Sequence, residues 1–323
     1  MRTAERSRAE RSGAPPGRTR RRRTLLIVAC AVGAATVGLL VAAWFSVPSA
    51  SDTTARVRAD LRRHRASFVP LEAVSPAMRV AVVATEDERF YRHHGIDVIG
   101  LARSAAFDVT HLSLQQGAST ITEQLAKELY LDGNDHSLWR KVQDAALALR
   151  IESHLSKEQI LGDYLNTVYF GAGAFGIGQA SERYFGVTPS RLSLADASLL
   201  AGLIQAPSAD DPLTDPAAAR SRQEDVLTSM VRNHDITIAE GEHAISQPLH
   251  LAGGAELPPL TGANLAPSSA FDGPEMAAGV GFLIASLIAL AVLWKRRSRA
   301  WRWVPAAGAL VGALVAARSL RGD

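Results

Sequence analysis

Uncharged apolar runs stand apart from the amphipathic pattern of the rest of the chain. One run covers residues 24–47 and a second covers residues 276–294. Each is close to the ~20 residues that cross the hydrocarbon core of a bilayer, so each is predicted to be a transmembrane helix. A third run, residues 304–317, is shorter and rich in Gly and Ala, and it fits either a tilted membrane helix or an interfacial segment.

Residues 51–250 repeat apolar positions at helical spacing, with charged faces between them. This pattern predicts a mainly α-helical globular domain. Helix starts are predicted where a capping residue precedes an apolar helix, at Ser75, Ser156, Ser193 and Asp215. Residues 251–275 are dominated by Pro, Gly, Ala and Ser and are predicted to form a linker.

Basic residues flank the apolar runs and predict their orientation. Residues 1–23 form a basic tail that ends in four arginines, and a Lys-Arg-Arg sequence follows residue 294. By the positive-inside rule the tail is cytoplasmic and the globular domain is extracytoplasmic. A cleaved signal peptide is the alternative for the first run, because Ser49 and Ala50 are small, but the run is longer than a signal core of about 7 to 15 residues.

Composition narrows the class of protein only slightly. The 323 residues include 35 Lys and Arg against 32 Asp and Glu. The excess lies mainly in the terminal clusters, so it gives no argument for nucleic-acid binding. The single cysteine, Cys30, excludes an intrachain disulfide and a cysteine metal site.

Carboxylates cluster where an apolar helix, predicted over Ala77 to Thr85, gives way to a turn. The segment from Glu86 to Gly95 reads EDERFYRHHG. A carboxylate partly buried at such a junction has its pKa raised, which suits a general base or acid. Glu86 is therefore the candidate base, although the segment alone also fits a capped surface loop.

A second motif, residues 117–127, reads GASTITEQLAK and places small residues and hydroxyls before a helix. Free N–H groups at a helix start bind anions, and Lys127 can add a positive charge to a phosphate. Two ordinary alternatives remain at this point. Ser119 can be no more than an N-cap, and Glu123 with Lys127 can be a surface pair one turn apart.

The third motif, RKVQD, occupies residues 140–144 and opens a long helix. Arg140 and Asp144 lie one turn apart on the same face. A guanidinium beside the Lys141 ammonium suits a diphosphate, while Asp144 could hold a divalent cation or orient the two positive charges. As an isolated pattern it also fits a solvated helix face.

In this order, the three motifs resemble those of the peptidoglycan glycosyltransferase family. This is the transglycosylase module of bifunctional penicillin-binding proteins and of monofunctional glycosyltransferases. The family patterns are E-D-x-x-F-x-x-H-x-G, G-x-S-T-I-T-Q-Q-L-x-K-N and R-K-x-x-E, and ordered agreement continues to about residue 230. The resemblance implies a bilobal, mainly helical, lysozyme-like domain attached to a membrane.

The resemblance also implies roles for individual residues. Glu86 matches the catalytic base and Asp144 the second catalytic carboxylate. The matching substrate-binding residues are Asp87, Ser119, Thr120, Gln124, Lys127, Arg140 and Lys141.

The implied reaction polymerises lipid II into glycan strands on the outer face of a bacterial plasma membrane, with inversion and release of undecaprenyl diphosphate. A divalent cation, Mg²⁺ or Mn²⁺, is implied as cofactor. The implied partners are lipid II, the nascent glycan strand, the bilayer, and transpeptidases or other cell-wall synthesis proteins. The stretch from Val98 to Leu114 fits either a segment that dips toward lipid, as in the family, or an ordinary core helix.

Six positions depart from the family patterns, among them Val187 in place of a lysine and Asp196 in place of a glutamate, and the other four bear on activity. Asp144 replaces a glutamate, Glu123 a glutamine, Glu128 an asparagine and Gly162 a glutamate. These changes motivate the alternative of a degenerate, non-catalytic protein that binds lipid II or supports a cell-wall complex. A glycosidase is disfavoured because it needs no cationic clamp for a diphosphate. Transpeptidase motifs are not found after residue 250, so a monofunctional protein is expected.

Overall fold

A computed structural model describes residue 34, residues 38–39, 41–111, 119–131, 137–260 and 262–263, and residue 265. The predicted basic tail, the apolar runs 276–294 and 304–317, and most of the run 24–47 lie outside the described residues. Apart from residue 34, the described residues belong to one unit, Gly38–Gly273. Within the described part of the chain, none of the helices is long and apolar enough to cross a membrane.

Most of the described chain is helical, as the patterning predicts. The α-helices are α1 (Thr53–Arg63), α2 (Pro76–Glu86), α3 (Val98–His111), α4 (Ile121–Tyr130), α5 (Leu138–His154), α6 (Lys157–Thr167), α7 (Gly176–Phe185), α8 (Leu194–Leu203), α9 (Pro216–Arg232) and α10 (Ile238–Ser246). Single 3₁₀ turns occupy Leu71–Ala73, Phe90–Arg92 and Pro189–Arg191. Two short strands, β1 (Leu249–His250) and β2 (Glu256–Leu257), pair antiparallel after α10.

The predicted capping residues begin four of these helices. Ser75, Ser156, Ser193 and Asp215 each accept a hydrogen bond from the backbone N–H three residues further on. In α6 and α8 the side chain at that third position returns a bond and completes a capping box. Because these contacts satisfy amides that a helix leaves unpaired, the local sequence decides where the four helices start.

The most extensive helix contacts fall into two sets. In the first, α8 packs against α2 and α9, and α10 packs against α9. In the second, α4 packs against α5 and α6, and α6 packs against α1. Glu86 ends α2 and Gln124 lies in α4, so the first two motifs meet where the two sets adjoin.

The globular part continues past the predicted boundary at residue 250. Strand β2 lies within the predicted linker, and the buried Leu249, Leu251 and Leu257 pack with Leu199 and Ala219. Two-residue strands are too short to show a detectable alternation of apolar and polar positions. The hairpin is stabilised by apolar surface that α8 and α9 present only in the folded chain.

The chain that leads into α1 is attached to α5. Arg150 donates hydrogen bonds to the backbone carbonyls of Trp44 and Pro48, and its guanidinium lies 4.5 Å from the centre of a Trp44 ring. Gln143, two turns earlier on α5, donates to Ser46 Oγ at 3.1 Å. The end of the first apolar run is thereby held against the helix that carries the third motif.

A buried carboxylate joins α1 to α6. Asp163 is 1% exposed and accepts a hydrogen bond from Thr54 Oγ1 at 2.6 Å. Burial raises its pKa to about 6, and the Thr54 bond and the charge of Arg58 oppose that shift only partly. The folded state therefore bears a cost at neutral pH for holding this carboxylate in its charged form.

We predict that Asp163→Asn gains stability relative to the wild type as the pH rises. A folded-state pKa above the unfolded value near 3.9 means that ionisation of this carboxylate costs the wild type no stability below about pH 4 and costs increasingly more up to about pH 6. At about 1.4 kcal/mol per pKa unit, the difference between the two proteins should change by on the order of 3 kcal/mol between pH 4 and pH 8. Thermal unfolding at both pH values measures it.

Glu182→Gln is the control, because Glu182 is exposed on α7 and makes no ion pair within the described residues. Its effect on the melting temperature should vary far less between the two pH values. A difference between Asp163→Asn and the wild type that stays constant from pH 4 to pH 8 would contradict the proposed cost of burial.

Candidate active site

Glu86 is the last residue of α2 and is partly buried between α2 and α4. Its Oε2 accepts a hydrogen bond from Gln124 Nε2 at 2.8 Å. Burial raises the pKa of Glu86, and the charge of Asp87 acts in the same direction, while the Gln124 bond and the positive charge of Arg222 oppose it. A carboxylate with a raised pKa and one oxygen held by an amide is equipped for proton transfer.

Asp87 faces inward and joins the first motif to α4. Its carboxylate accepts from His93 Nε2 at 2.9 Å and from the backbone N–H of Ile121 at 3.1 Å, and its side chain is 4% exposed. The sequence predicts Asp87 as a substrate contact. In the structure, its hydrogen bonds hold the 87–93 turn against the amino end of α4.

Gly95 explains why the first motif ends in glycine. Its φ is +82°, a conformation that residues with a Cβ rarely adopt, and a Cβ there would lie 2.9 Å from the α5 backbone at Ala148. The Gly95 carbonyl accepts from Thr120 Oγ1 at 2.7 Å. The turn after the candidate base is thus in close contact with both α4 and α5.

Thr120, not Ser119, is the N-cap of α4. Thr120 Oγ1 accepts from the Glu123 N–H at 3.1 Å, and Glu123 Oε2 accepts from the Thr120 N–H at 2.9 Å. With the Ile121 N–H donated to Asp87, these amides are already satisfied. They are not available to an anion, contrary to the expectation from the motif, because a carboxylate and a capping box already complement the positive end of the helix.

The third motif forms a compact cluster of charge near the start of α5. Arg140 Nε donates to Asp144 Oδ1 at 3.0 Å, and both side chains are buried. Lys141 Nζ lies 3.9 Å from Asp144 Oδ2 and donates to Ser119 Oγ at 3.3 Å, while most of its side chain is exposed. The cluster therefore offers an exposed ammonium above a buried ion pair.

Two adjacent residues of α4 connect the base to this cluster. Gln124 contacts Glu86, while the charges of Lys141 and Asp144 act on Glu123. Burial raises the pKa of Glu123, and the Thr120 N–H and Lys141 lower it. The second motif therefore connects the first and third motifs. Gln124 contacts the first motif at Glu86, and Glu123 interacts with the charges of the third.

Lys127, Glu128 and Gly162 have simpler surroundings. Lys127 and Glu128 are exposed on α4, and Lys127 makes no ion pair within the part of the chain that the structure describes. Gly162 is buried, and a Cβ there would lie 3.5 Å from the Leu71 Cβ and 4.0 Å from the Leu71 nitrogen. The predicted Glu123–Lys127 surface pair is absent from the described contacts, since Glu123 caps the helix instead.

A metal held by the protein alone does not fit the described residues. No group of three or more His, Cys, Asp or Glu side chains among them could hold a metal ion. Asp144, which the sequence offered either as a cation ligand or as a residue that orients the positive charges, has Arg140 and Lys141 at its two oxygens. Two neighbouring positive charges disfavour a divalent cation at this carboxylate.

Sequence reasoning assigned no role to two residues that act on Glu86. Tyr164, fully buried in α6, donates its hydroxyl to Gln124 Oε1 at 2.7 Å. Arg222 of α9 lies 3.5 Å from Asp210 and 2.9 Å from Asp225, and its charge lowers the pKa of Glu86. The sequence around Tyr164 does not indicate which residue its hydroxyl binds, because Gln124 lies 40 residues earlier in the chain.

Fold and site together define a mainly helical domain in which two adjacent residues of α4 join the partly buried Glu86 to a cationic cluster on α5. The profile of the transglycosylase family matches residues 52–231, which are more than half of the chain and include all three motifs. The chain belongs to the transglycosylase family.

Relatives support this assignment over different lengths. A Cupriavidus necator protein provisionally named a transglycosylase is 40% identical over 228 residues, which are 70% of this chain and 95% of that protein. Penicillin-binding protein 1A of Neisseria gonorrhoeae is 42% identical over 186 residues, which are 58% of this chain. The match spans 23% of the length of that relative.

One solved structure is also similar. Penicillin-binding protein 1A from Haemophilus influenzae matches 58% of this chain and 18% of its own at 20% identity, with a TM-score of 0.35. That similarity is too low for a comparison of the two folds.

We predict that Asp87→Ala destabilises the protein. The substitution leaves His93 Nε2 and the Ile121 N–H without their acceptor in a buried place, which should cost about 2–4 kcal/mol of unfolding free energy. Glu88→Ala is the control, because Glu88 pairs with Arg103 at the surface and should cost below about 1 kcal/mol. Denaturant unfolding compares them, and equal stability of Asp87→Ala and the wild type would refute the structural role.

Proposed function

We propose that the protein is a peptidoglycan glycosyltransferase that polymerises lipid II into glycan strands. The observation that carries the proposal is the partly buried Glu86, whose carboxylate accepts a hydrogen bond from Gln124 of α4. The charged cluster of α5 acts on the adjacent residue of the same helix, Glu123. Membership of the transglycosylase family supports the same reaction. The bilobal, lysozyme-like arrangement expected from the resemblance belongs to this proposal, and the two sets of helix contacts are compatible with it.

In the proposed reaction Glu86 acts as general base. It takes the proton from the 4-hydroxyl of the acceptor sugar while that oxygen attacks the anomeric carbon of the growing chain. The bond from that carbon to the diphosphate breaks, which inverts the configuration and releases undecaprenyl diphosphate. Glu86 Oε2 is held by Gln124, so Oε1, which has no hydrogen bond within the described residues, is the oxygen that accepts the proton.

The leaving diphosphate needs positive charge. Lys141 and Lys127 present exposed ammonium groups. Arg140, the residue before Lys141 on α5, is held by Asp144. Donors fixed before the reaction stabilise developing charge at little reorganisation cost. Asp144 thereby acts on the leaving group through Arg140 and Lys141, which it can do despite being one methylene shorter than the family glutamate.

The divalent cation stays a prediction from the family resemblance. The described side chains do not fit a metal without substrate oxygens, so no step above depends on one. Association with transpeptidases or other cell-wall synthesis proteins likewise stays a prediction.

We further propose that the domain works at the outer face of the plasma membrane, with the amino terminus in the cytoplasm. Apolar side chains at the start of α3 support lipid contact: Val98 is 69% exposed, Ile99 56% and Leu101 54%. Phe45, at the end of the first apolar run, is 79% exposed. Solvent exposure of several large apolar side chains is typical of a surface that meets a membrane or a partner.

We predict that the full-length protein polymerises lipid II in detergent and that Glu86→Gln does so on the order of 10²–10⁴ times more slowly. The amide keeps the size of the side chain but cannot take the proton. Glu88→Gln, an exposed change two residues away, should stay within a few-fold of the wild type. Gel separation of the glycan products, with and without Mg²⁺ or Mn²⁺, measures all three proteins.

The outcome decides between catalysis and binding alone. Polymer from the wild type and not from Glu86→Gln supports the proposed base. If neither makes polymer while both bind lipid II, the protein is a non-catalytic binder and the proposed function is wrong.

We predict that Glu123→Gln increases affinity for a polyprenyl diphosphate. The amide oxygen can still accept the Thr120 N–H, so the capping box remains, while a negative charge near Lys141 and Asp144 is removed. Affinity for farnesyl diphosphate should rise about three- to ten-fold at pH 8. Because the pKa of Glu123 is raised, the gain should shrink as the pH falls and the wild-type carboxylate becomes neutral.

Glu123→Ala separates charge from capping in the same binding experiment. It should gain similar affinity at pH 8 but lose about 1 kcal/mol of stability with the cap. Unchanged affinity in both variants would show that Glu123 lies outside the electrostatic reach of the diphosphate.

A further inference from the structure

Both ends of the Gln124 carboxamide are bound inside the protein. Its Nε2 donates to Glu86 Oε2 at 2.8 Å, and its Oε1 accepts from the hydroxyl of Tyr164 at 2.7 Å. Tyr164 is 0% exposed, so its hydroxyl reaches no solvent. The three side chains form a line from the interior of α6, through α4, to the end of α2.

The direction of the amide matters for the charge of Glu86. If the amide turned over, its oxygen would face Glu86 Oε2, and the contact would be favourable only if Glu86 carried a proton there. Tyr164 would then have to accept from Nε2, and its own proton would lack an acceptor among the described residues. An unsatisfied buried donor is costly, so the tyrosine opposes the turned-over state.

We propose that Tyr164 is a positioning residue that keeps the Gln124 amide hydrogens, rather than its oxygen, directed at Glu86. In this way it favours the ionised form of Glu86, which is the form that can act as a base. The catalytic consequence rests on the proposed glycosyltransferase function. The effect on the ionisation of Glu86 does not, and it can be measured separately.

Other charged residues also act on Glu86 and Tyr164. Arg222 from α9 and Asp87 from the end of α2 act on Glu86 in opposite directions. Glu86, Glu128 and Asp87 all act on Tyr164, and with burial they raise its pKa well above the usual value. The phenol therefore stays protonated below pH 9, and a change of behaviour between pH 4.5 and 8 does not come from Tyr164 itself.

The first test is the pH dependence of polymerisation by the full-length Tyr164→Phe protein. Without the hydroxyl, the turned-over amide is no longer penalised, so protonated Glu86 becomes easier to form. The acidic limb of kcat/KM should move to higher pH by about 0.5–1 unit, with KM little changed and the rate on the alkaline plateau within a few-fold of the wild type. A lower rate at every pH with an unmoved limb would overturn the proposal.

Tyr184→Phe is the matched control. Tyr184 is also buried, and its hydroxyl donates to the Phe170 carbonyl at 3.0 Å and has no contact with Gln124. Its loss should lower stability without moving the acidic limb. An equal shift in this variant would mean that any lost buried phenol produces the effect, and the proposal would fail.

The second test needs no activity and uses thermal unfolding of four proteins: the wild type, Tyr164→Phe, Glu86→Gln and the double variant. A folded-state pKa of Glu86 above the unfolded value lowers stability as the pH rises, and Tyr164→Phe should enlarge that loss. Tyr164→Phe should therefore lower the melting temperature more at pH 8 than at pH 4.5. In the Glu86→Gln background its effect should be the same at both pH values.

The two tests separate the proposals. If no protein makes polymer but the unfolding data show this dependence on Glu86, the function is wrong and the positioning role stands. If the effect of Tyr164→Phe has the same pH dependence in both backgrounds, the positioning role is wrong whatever the activity. Should Tyr164→Phe fold poorly, Gln124→Met, which removes both hydrogen bonds at similar length, must show the same dependence on Glu86 or the proposal fails.

Discussion

The amino end of α4 depends on the carboxylate of Asp87. The helix begins at Ile121, and its first amide donates to Asp87 Oδ2, while the same carboxylate binds His93 in the preceding turn. A negative charge at the positive end of a helix is favourable, and burial strengthens the interaction. Because Gln124 and Glu123 lie one turn into α4, this contact sets where both meet their partners.

Helix α4 contacts two different environments: the partly buried carboxylate of Glu86 and the positive charges of α5. Gln124 binds Glu86, the candidate base, and the Glu123 capping box lies toward the positive charges of α5. Proton transfer benefits from a desolvated carboxylate, whereas a diphosphate benefits from exposed cations. One short helix brings both environments together because its successive side chains point in different directions.

The structure accommodates three of the residues that depart from the family patterns without losing local contacts. Glu123 gains a capping role that a glutamine could also fill, and a Cβ at Gly162 would make only ordinary contacts with Leu71. Asp144 reaches Arg140 at 3.0 Å within the same helix. The shorter carboxylate therefore keeps its pairing with the positive charges of the third motif.

Local sequence determined the helical character of the domain, four helix starts, and Glu86 at the end of an apolar helix. These follow from interactions within a few residues, namely caps, apolar periodicity and turn residues. Only the tertiary structure decided that Asp87 points inward and that β2 extends the domain into the predicted linker. The Thr120 cap, by contrast, is local, because Thr120 and Glu123 form a capping box within four residues. The tertiary structure alone brought Tyr164 and Arg222 to the base, because the contacts join residues 40 or more positions apart, and which side chains share a buried space is decided by helix packing.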